Sequence, residues 1–207
     1  MSSPSSSGSS KPKPVNRDRH ADNTARLAKL LEIPPVPWSH DIRGNPPQAD
    51  KDLIASVFAF FIQGGIMPEA FGKDVGGRVK MVEMNVVEDG RGTEGFWEVE
   101  VTQDMCNAFG TMHGACAAFL VDHTTIGTMV FLGRVRGFDG IGMTTNLNLH
   151  WHSPANVGDV LSIYARSVFA DKAGRGTRVA RCEIREKSKG RLVVSATAGG
   201  VATGFKL

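Results

Sequence analysis

The chain predicts an α+β domain, on three observations: one long apolar helical stretch, strand-patterned segments that outnumber helical ones, and Gly-rich turns joining those strands in series. The long stretch runs from about His113 to Leu132, small or apolar almost throughout, with Asp122 and His123 in its middle. A length of 207 residues, 41% hydrophobic and 22% charged, suits one globular domain with a core of ordinary size.

Residues 1–50 hold eight of the ten prolines and a Ser-rich start, so they are expected to form a disordered tail ahead of a domain spanning 51–207. Within the tail, Asn23 to Glu32 has the spacing of a short helix, with Leu27, Leu30 and Leu31 on one side and Pro34-Pro35 as its stop. From Lys51 to Gln63 apolar residues recur at helical spacing until Gly64-Gly65 ends the run. Arg78 to Val87 and Phe96 to Thr102 read as strands, joined by a Gly-bearing hairpin over Glu88 to Gly95.

After the long helix, Gly133, Gly137 and Gly140 mark a loop, and the clearest strand follows. Strict alternation places Met143, Thr145, Leu147, Leu149 and Trp151 on one face, against the helix, and Thr144, Asn146, Asn148, His150 and His152 on a polar one. Val160 to Val168, Arg178 to Arg185 and Leu192 to Val201 give three more strands.

Charge excludes some functions. The net +3 resides in Lys11, Lys13, Arg17 and Arg19 against Asp18, which leaves the other 187 residues neutral and no basic groove for nucleic acid. No membrane span is expected, because Asp122 and His123 interrupt the longest apolar run. Three cysteines, at 106, 116 and 182, cannot all pair and read as buried thiols of a reducing compartment, cytoplasmic or alternatively mitochondrial. Cys106 has no basic partner in sequence that would make it a nucleophile. His150 and His152 share a strand face but lack a third metal ligand at known spacing, so no metal is expected.

The chemistry concentrates at Asn107 to Ala115. A Gly-bearing turn that opens a helix aims free N–H groups and the positive helix end at whatever lies before it, which suits a carbonyl oxygen. Asn107 adds an amide donor, and Asp122 is the one acid between Asp104 and Asp139. Oxyanion donors and one carboxylate suggest acyl chemistry, although Asn, Gly, His and Asp also punctuate ordinary turns and caps. The basic hairpin carrying Lys172, Arg175 and Arg178 is a candidate contact for phosphates.

Asn107-x-x-Gly110-Thr111-x-His113-Gly114, followed by Leu120-Val121-Asp122, resembles the signature of hotdog-fold acyl-CoA thioesterases of the PaaI type. Asn146-x-Asn148 and Ser153-Pro154-Ala155 resemble that family's central strand and its end, and the likeness covers about Val79 to Thr203. It implies an antiparallel sheet wrapped round one helix, and cofactor-free hydrolysis of an acyl-CoA. Carried over by position, Asn107 and the Gly114 N–H hold the oxyanion, Asp122 is general base or nucleophile, Thr144 orients the water, and His113 and Ala115 border the substrate. Ala115 departs from the family, in which a second glycine usually follows the His-Gly pair.

Gly114 and Asp122 lie eight residues apart on one helix, a rise of about 12 Å, so they cannot meet one carbonyl carbon. A shared site then needs a second copy, in keeping with the dimers of this family, paired further or not into tetramers. A hotdog hydratase or dehydratase and a non-catalytic acyl-CoA-binding protein are the alternatives.

Overall fold

In the computed structural model, which describes residues 33–65, 67–172, 174 and 176–202, six antiparallel strands form a single sheet. The strands are β1 (Lys80–Val87), β2 (Gly92–Glu100), β3 (Gly142–Trp151), β4 (Val160–Phe169), β5 (Arg178–Glu186) and β6 (Arg191–Ala202), in the order β1-β2-β4-β5-β6-β3. Three helices accompany them: α1 (Gln48–Ile62), α2 (Lys73–Arg78) and α3 (Gly114–Arg136). The alternating strand pattern, one face apolar, buries Trp97, Val99, Leu161, Ile163, Ile184 and Val194 against α3.

α3 is long and apolar enough to cross a membrane, and 67% of its apolar window is buried inside the fold. Its polar interior residues are satisfied locally: Thr124, Thr125 and Thr128 hydroxyls donate to carbonyls one turn back. Gly137, at φ 74°, closes the helix, and its N–H donates to the Gly133 carbonyl. α1 packs across α3, where the Phe58 ring lies beside Gly127 and, tilted by 40°, 5.5 Å from the ring of Trp97 on β2.

Residues 33–50, expected as part of the tail, are docked, and residues 1–32 lie outside the described residues. From Ile33 on, the chain packs on the domain: Ile42 is 3% exposed and lies in the core, and the Ser39 hydroxyl donates to Asp52 at 2.6 Å. Prolines there shape a docked segment, since a fixed φ is compatible with packing. The proposed Asn23–Glu32 helix lies outside the described residues.

This docked segment also dresses the β1 edge. Arg43 N–H donates to the Val82 carbonyl, Arg43 O accepts from Met84 N–H, and the Asn45 amide brackets both polar groups of Val86. Gly44, at φ 113°, makes the approach possible, because a Cβ there would stand 1.7 Å from the Met84 carbonyl oxygen.

β3 forms the opposite edge, and here strict alternation misleads. The register slips between Thr144 and Asn146, which turns Thr144 toward α3 together with Trp151, seven residues on. The apolar side chains expected against the helix are largely open: Met143 is 63% exposed and Trp151 57%. α2, absent from the sequence reading, precedes β1 because Gly76 can press on the Ile62 carbonyl where a Cβ would clash.

Candidate active site

The turn before α3 is built by Asn107. Its carboxamide oxygen accepts from the N–H of Phe109 at 2.9 Å and from Thr111, and Gly110 takes the left-handed conformation at φ 75°. Those bonds fix which end of the amide faces inward. Nδ2 donates one proton to Thr111 Oγ at 3.1 Å, which leaves its second proton to an incoming acceptor. The turn is anchored by Met112 N–H to Ala155 O and His113 N–H to Met105 O, each 2.8 Å, so the Ser153-Pro154-Ala155 segment supports the site from behind.

His113 is the N-cap of α3. Its Nδ1 accepts from Ala115 N–H at 3.0 Å, so the neutral ring carries its proton on Nε2. The cap consumes one of the free N–H groups at the helix start and leaves that of Gly114. Above Gly114 lies the Trp151 indole, whose Nε1, Cε2 and Cζ2 come within 3.5 Å of where a Cβ would stand. Trp151 was not among the residues singled out for the site; its signal in sequence was a large aromatic at the strand end just before Ser153-Pro154.

Asp122 sits two turns further along α3, half-buried, and accepts from Thr144 Oγ at 2.5 Å. That bond fixes one carboxylate oxygen and leaves the other for a water. The cavity beside Asp122 is apolar, lined by Ile54, Val57, Phe58 and Phe61 of α1 and by His123, Ile126 and Val130 of α3. On the other side of Phe119 a larger cleft of about 660 Å³ opens, bordered by His113, Ala115, Phe71 and the start of α2.

The structure thus brings Asn107, His113, Gly114 and Ala115 together at one end of α3, and Asp122 with Thr144 at another place along it. Within one chain the two groups stay about 12 Å apart, eight residues of helical rise. The thiols are not poised for attack: burial pushes Cys116 up to about 11 and Cys182 to about 12, so both are protonated near neutrality.

Arg178 is a correction. It is 3% exposed, and its guanidinium donates to the carbonyls of Asp139, Gly140, Ile141 and Gly174 while lying 5.2 Å from the Phe138 ring centroid. It clamps the loop ahead of β3 to the β4–β5 hairpin and has no face for a phosphate. Lys172 is exposed on that hairpin, and Arg175 lies outside the described residues.

The thioesterase superfamily model matches residues 109–193. Acyl-coenzyme A thioesterase 13 of Homo sapiens is 32% identical over 96 residues, 46% of this chain and 64% of that protein, and its Mus musculus counterpart is 31% identical over the same shares. The chain therefore spans under two thirds of the curated relatives it matches. Among solved structures, a zebrafish thioesterase superfamily member 2 superposes with TM-score 0.57 at 21% identity, covering 72% of this chain and 97% of that one. A hypothetical thioesterase protein from Streptococcus pneumoniae, solved with coenzyme A, gives 0.52 at 23% identity over 62% and 88%. The Escherichia coli PaaI protein gives 0.52 at 18% identity over 67% and 88%. One antiparallel sheet round a central helix, shared with these neighbours, is the hotdog fold, and residues 109–193 are the stretch that is similar to the thioesterase superfamily.

Proposed function

We propose that this chain hydrolyses acyl-CoA thioesters in a site shared between two copies. The observation that carries the reading is the half-buried Asp122, held by Thr144 beside an apolar cavity, on the same helix whose first turn offers the Gly114 N–H. Asp122 takes a proton from water, and the hydroxide adds to the thioester carbon. The Gly114 N–H and the free Nδ2 proton of Asn107, from the other copy, hold the oxyanion. Collapse breaks the C–S bond, and the Asp122 proton goes to the departing CoA sulfur, which leaves the free acid and CoA.

The second copy enters along β3. This edge strand shows Met143, Leu147 and Trp151 to solvent, and an open apolar edge invites an equivalent strand about a two-fold axis. Lys172, exposed on the β4–β5 hairpin, is the candidate contact for the CoA phosphates; replacing it with Ala should raise KM and flatten its salt dependence. The activity is tested by release of free CoA from a panel of acyl-CoAs, followed with a thiol reagent. Turnover abolished in Asp122→Asn with the fold retained supports the reading, and no CoA release from any substrate ends it.

A further inference from the structure

The acyl group is bonded to the carbon that the Asp122-activated water attacks, so it must leave that carbon next to Asp122. The space available there is the partly open cavity between α1 and α3, of about 100 Å³. Ile54, Val57, Phe58, Phe61, Ile126 and Val130 form most of its wall, and among the described residues Asp122 and His123 are the only polar side chains on it. Such a wall accepts hydrocarbon and penalises a hydroxyl or a second charge, which would find no partner. An apolar cavity of roughly 150 Å³ takes a benzene, six carbons, so this one takes about four.

A ring pair sets that limit. The His123 ring lies 4.4 Å from that of Phe119, tilted by 48°, and its Nδ1 donates to the Phe119 carbonyl at 3.0 Å. A backbone carbonyl can only accept, so the bond fixes the rotamer as well as the tautomer of the ring. Phe119 is at the same time a wall of the cleft of about 660 Å³ beside His113 and Ala115, where Phe71 meets it edge-on at 5.7 Å. His123 faces the small cavity and Phe119 the large cleft, so the two rings partition them.

Resting on the hydrolytic reading above, we propose that the α1–α3 cavity is the acyl seat, that Phe119 and His123 set its length, and that the substrates are short, uncharged acyl-CoAs of about four carbons. His123 is a specificity residue here: removing its ring lengthens the seat as far as the Phe119 ring that walls the cleft. Gly127 sets the width, because a methyl group there stands 3.1 Å from the Phe58 ring and intrudes on the seat.

The test uses the full chain and its His123→Ala and Gly127→Ala variants, with kcat/KM measured from acetyl- to dodecanoyl-CoA. Affinities for the matching S-alkyl-CoA thioethers, which cannot be hydrolysed, are measured by calorimetry. Wild type should peak near butyryl and fall at least about tenfold by decanoyl. His123→Ala should raise the decanoyl-to-butyryl ratio of kcat/KM at least about tenfold, and Gly127→Ala should move the optimum toward acetyl. A folded His123→Ala protein with the wild-type length profile would overturn the proposal while leaving the hydrolytic reading intact. If no thioester is cleaved, the hydrolytic reading fails, and the thioethers decide alone: the same order of lengths supports the seat, and no dependence on length overturns it.

Discussion

Two inactive proteins should make an active one. In the proposed site Gly114 and Asn107 hold the thioester oxygen at the start of α3, and Asp122 lies eight residues from Gly114 along the same helix. At a rise of 1.5 Å per residue the gap is about 12 Å, against the roughly 6 Å at most that one water can bridge between base and carbonyl carbon. The oxyanion lesion is best made as Asn107→Asp, because Oδ1 accepts from Phe109 and Thr111 N–H groups and a carboxylate keeps those bonds while losing the Nδ2 donor. Loss of one such donor costs about 2.7–4 kcal/mol in the barrier, and the new charge adds to it. The base lesion is Asp122→Asn, which retains an oxygen for the Thr144 hydroxyl. Chains of the two kinds, unfolded together and refolded, pair at random so that about half of the dimers are mixed. Each mixed dimer carries one site with both lesions and one with neither, so about a quarter of wild-type CoA release should return. Recovery no greater than the sum of the parents, with mixed dimers confirmed by mass, would refute the shared site.

Three other outcomes follow from individual contacts. Thr144→Val, close in shape but without the hydroxyl on Asp122, should lower kcat about tenfold or more with little change in KM, the scale of a hydrogen bond to a charged group; equal kcat would remove Thr144 from the reaction. Arg178→Met should cost about 3 kcal/mol in chemical denaturation, because the carbonyls of Asp139, Gly140, Ile141 and Gly174 lose their buried donor; an unchanged midpoint would contradict the clamp. Alkali should unfold the protein partly through its thiols. With Cys182 raised by burial from 9.0 to about 12, the folded state holds a proton that the unfolded state releases, so its contribution is complete below about pH 9 and is lost as pH rises toward 12. Cys182→Ala should therefore show a shallower loss of stability than wild type between pH 9 and 11, and parallel curves would exclude the thiol.

What was legible in the sequence was local. The turn at Asn107–Thr111 and the start of α3 announce themselves because Asn, Gly and a capping His act on backbone within a few residues. The period of α3 and the alternation of β2 and β4 follow from residues that share one buried face. What depended on distant neighbours was hidden. A slip in the β3–β6 register moves Thr144 to the face of Trp151, and no alternation rule contains it. Arg178 resembled a solvated hairpin residue because the carbonyls that bury it come from a loop nearly forty positions earlier. Residues 33–50 read as tail from their prolines, yet Ile42 and Ser39 bind a surface that exists only once β1 and α1 have formed. For Asn107, Asp122 and Gly114 the sequence named the candidates, and the fold adds which proton of the amide is free and which carboxylate oxygen is held.

The unequal treatment of the two sheet edges bears on how many chains can join. Along β1, Arg43 and Asn45 occupy the Val82 carbonyl, the Met84 N–H and both polar groups of Val86, so another strand arriving there would find the segment in its way. Among the described residues no strand pairs with the outer edge of β3. A ribbon with a single adhesive end can be extended once: when two chains meet through β3, each presents a sealed border outward, and the joined sheet terminates. The short Arg43–Asn45 stretch thus acts as a stop against runaway strand addition, and stripping it, by Arg43→Pro with Asn45→Ala, would be expected to turn a finite pair into open-ended fibres.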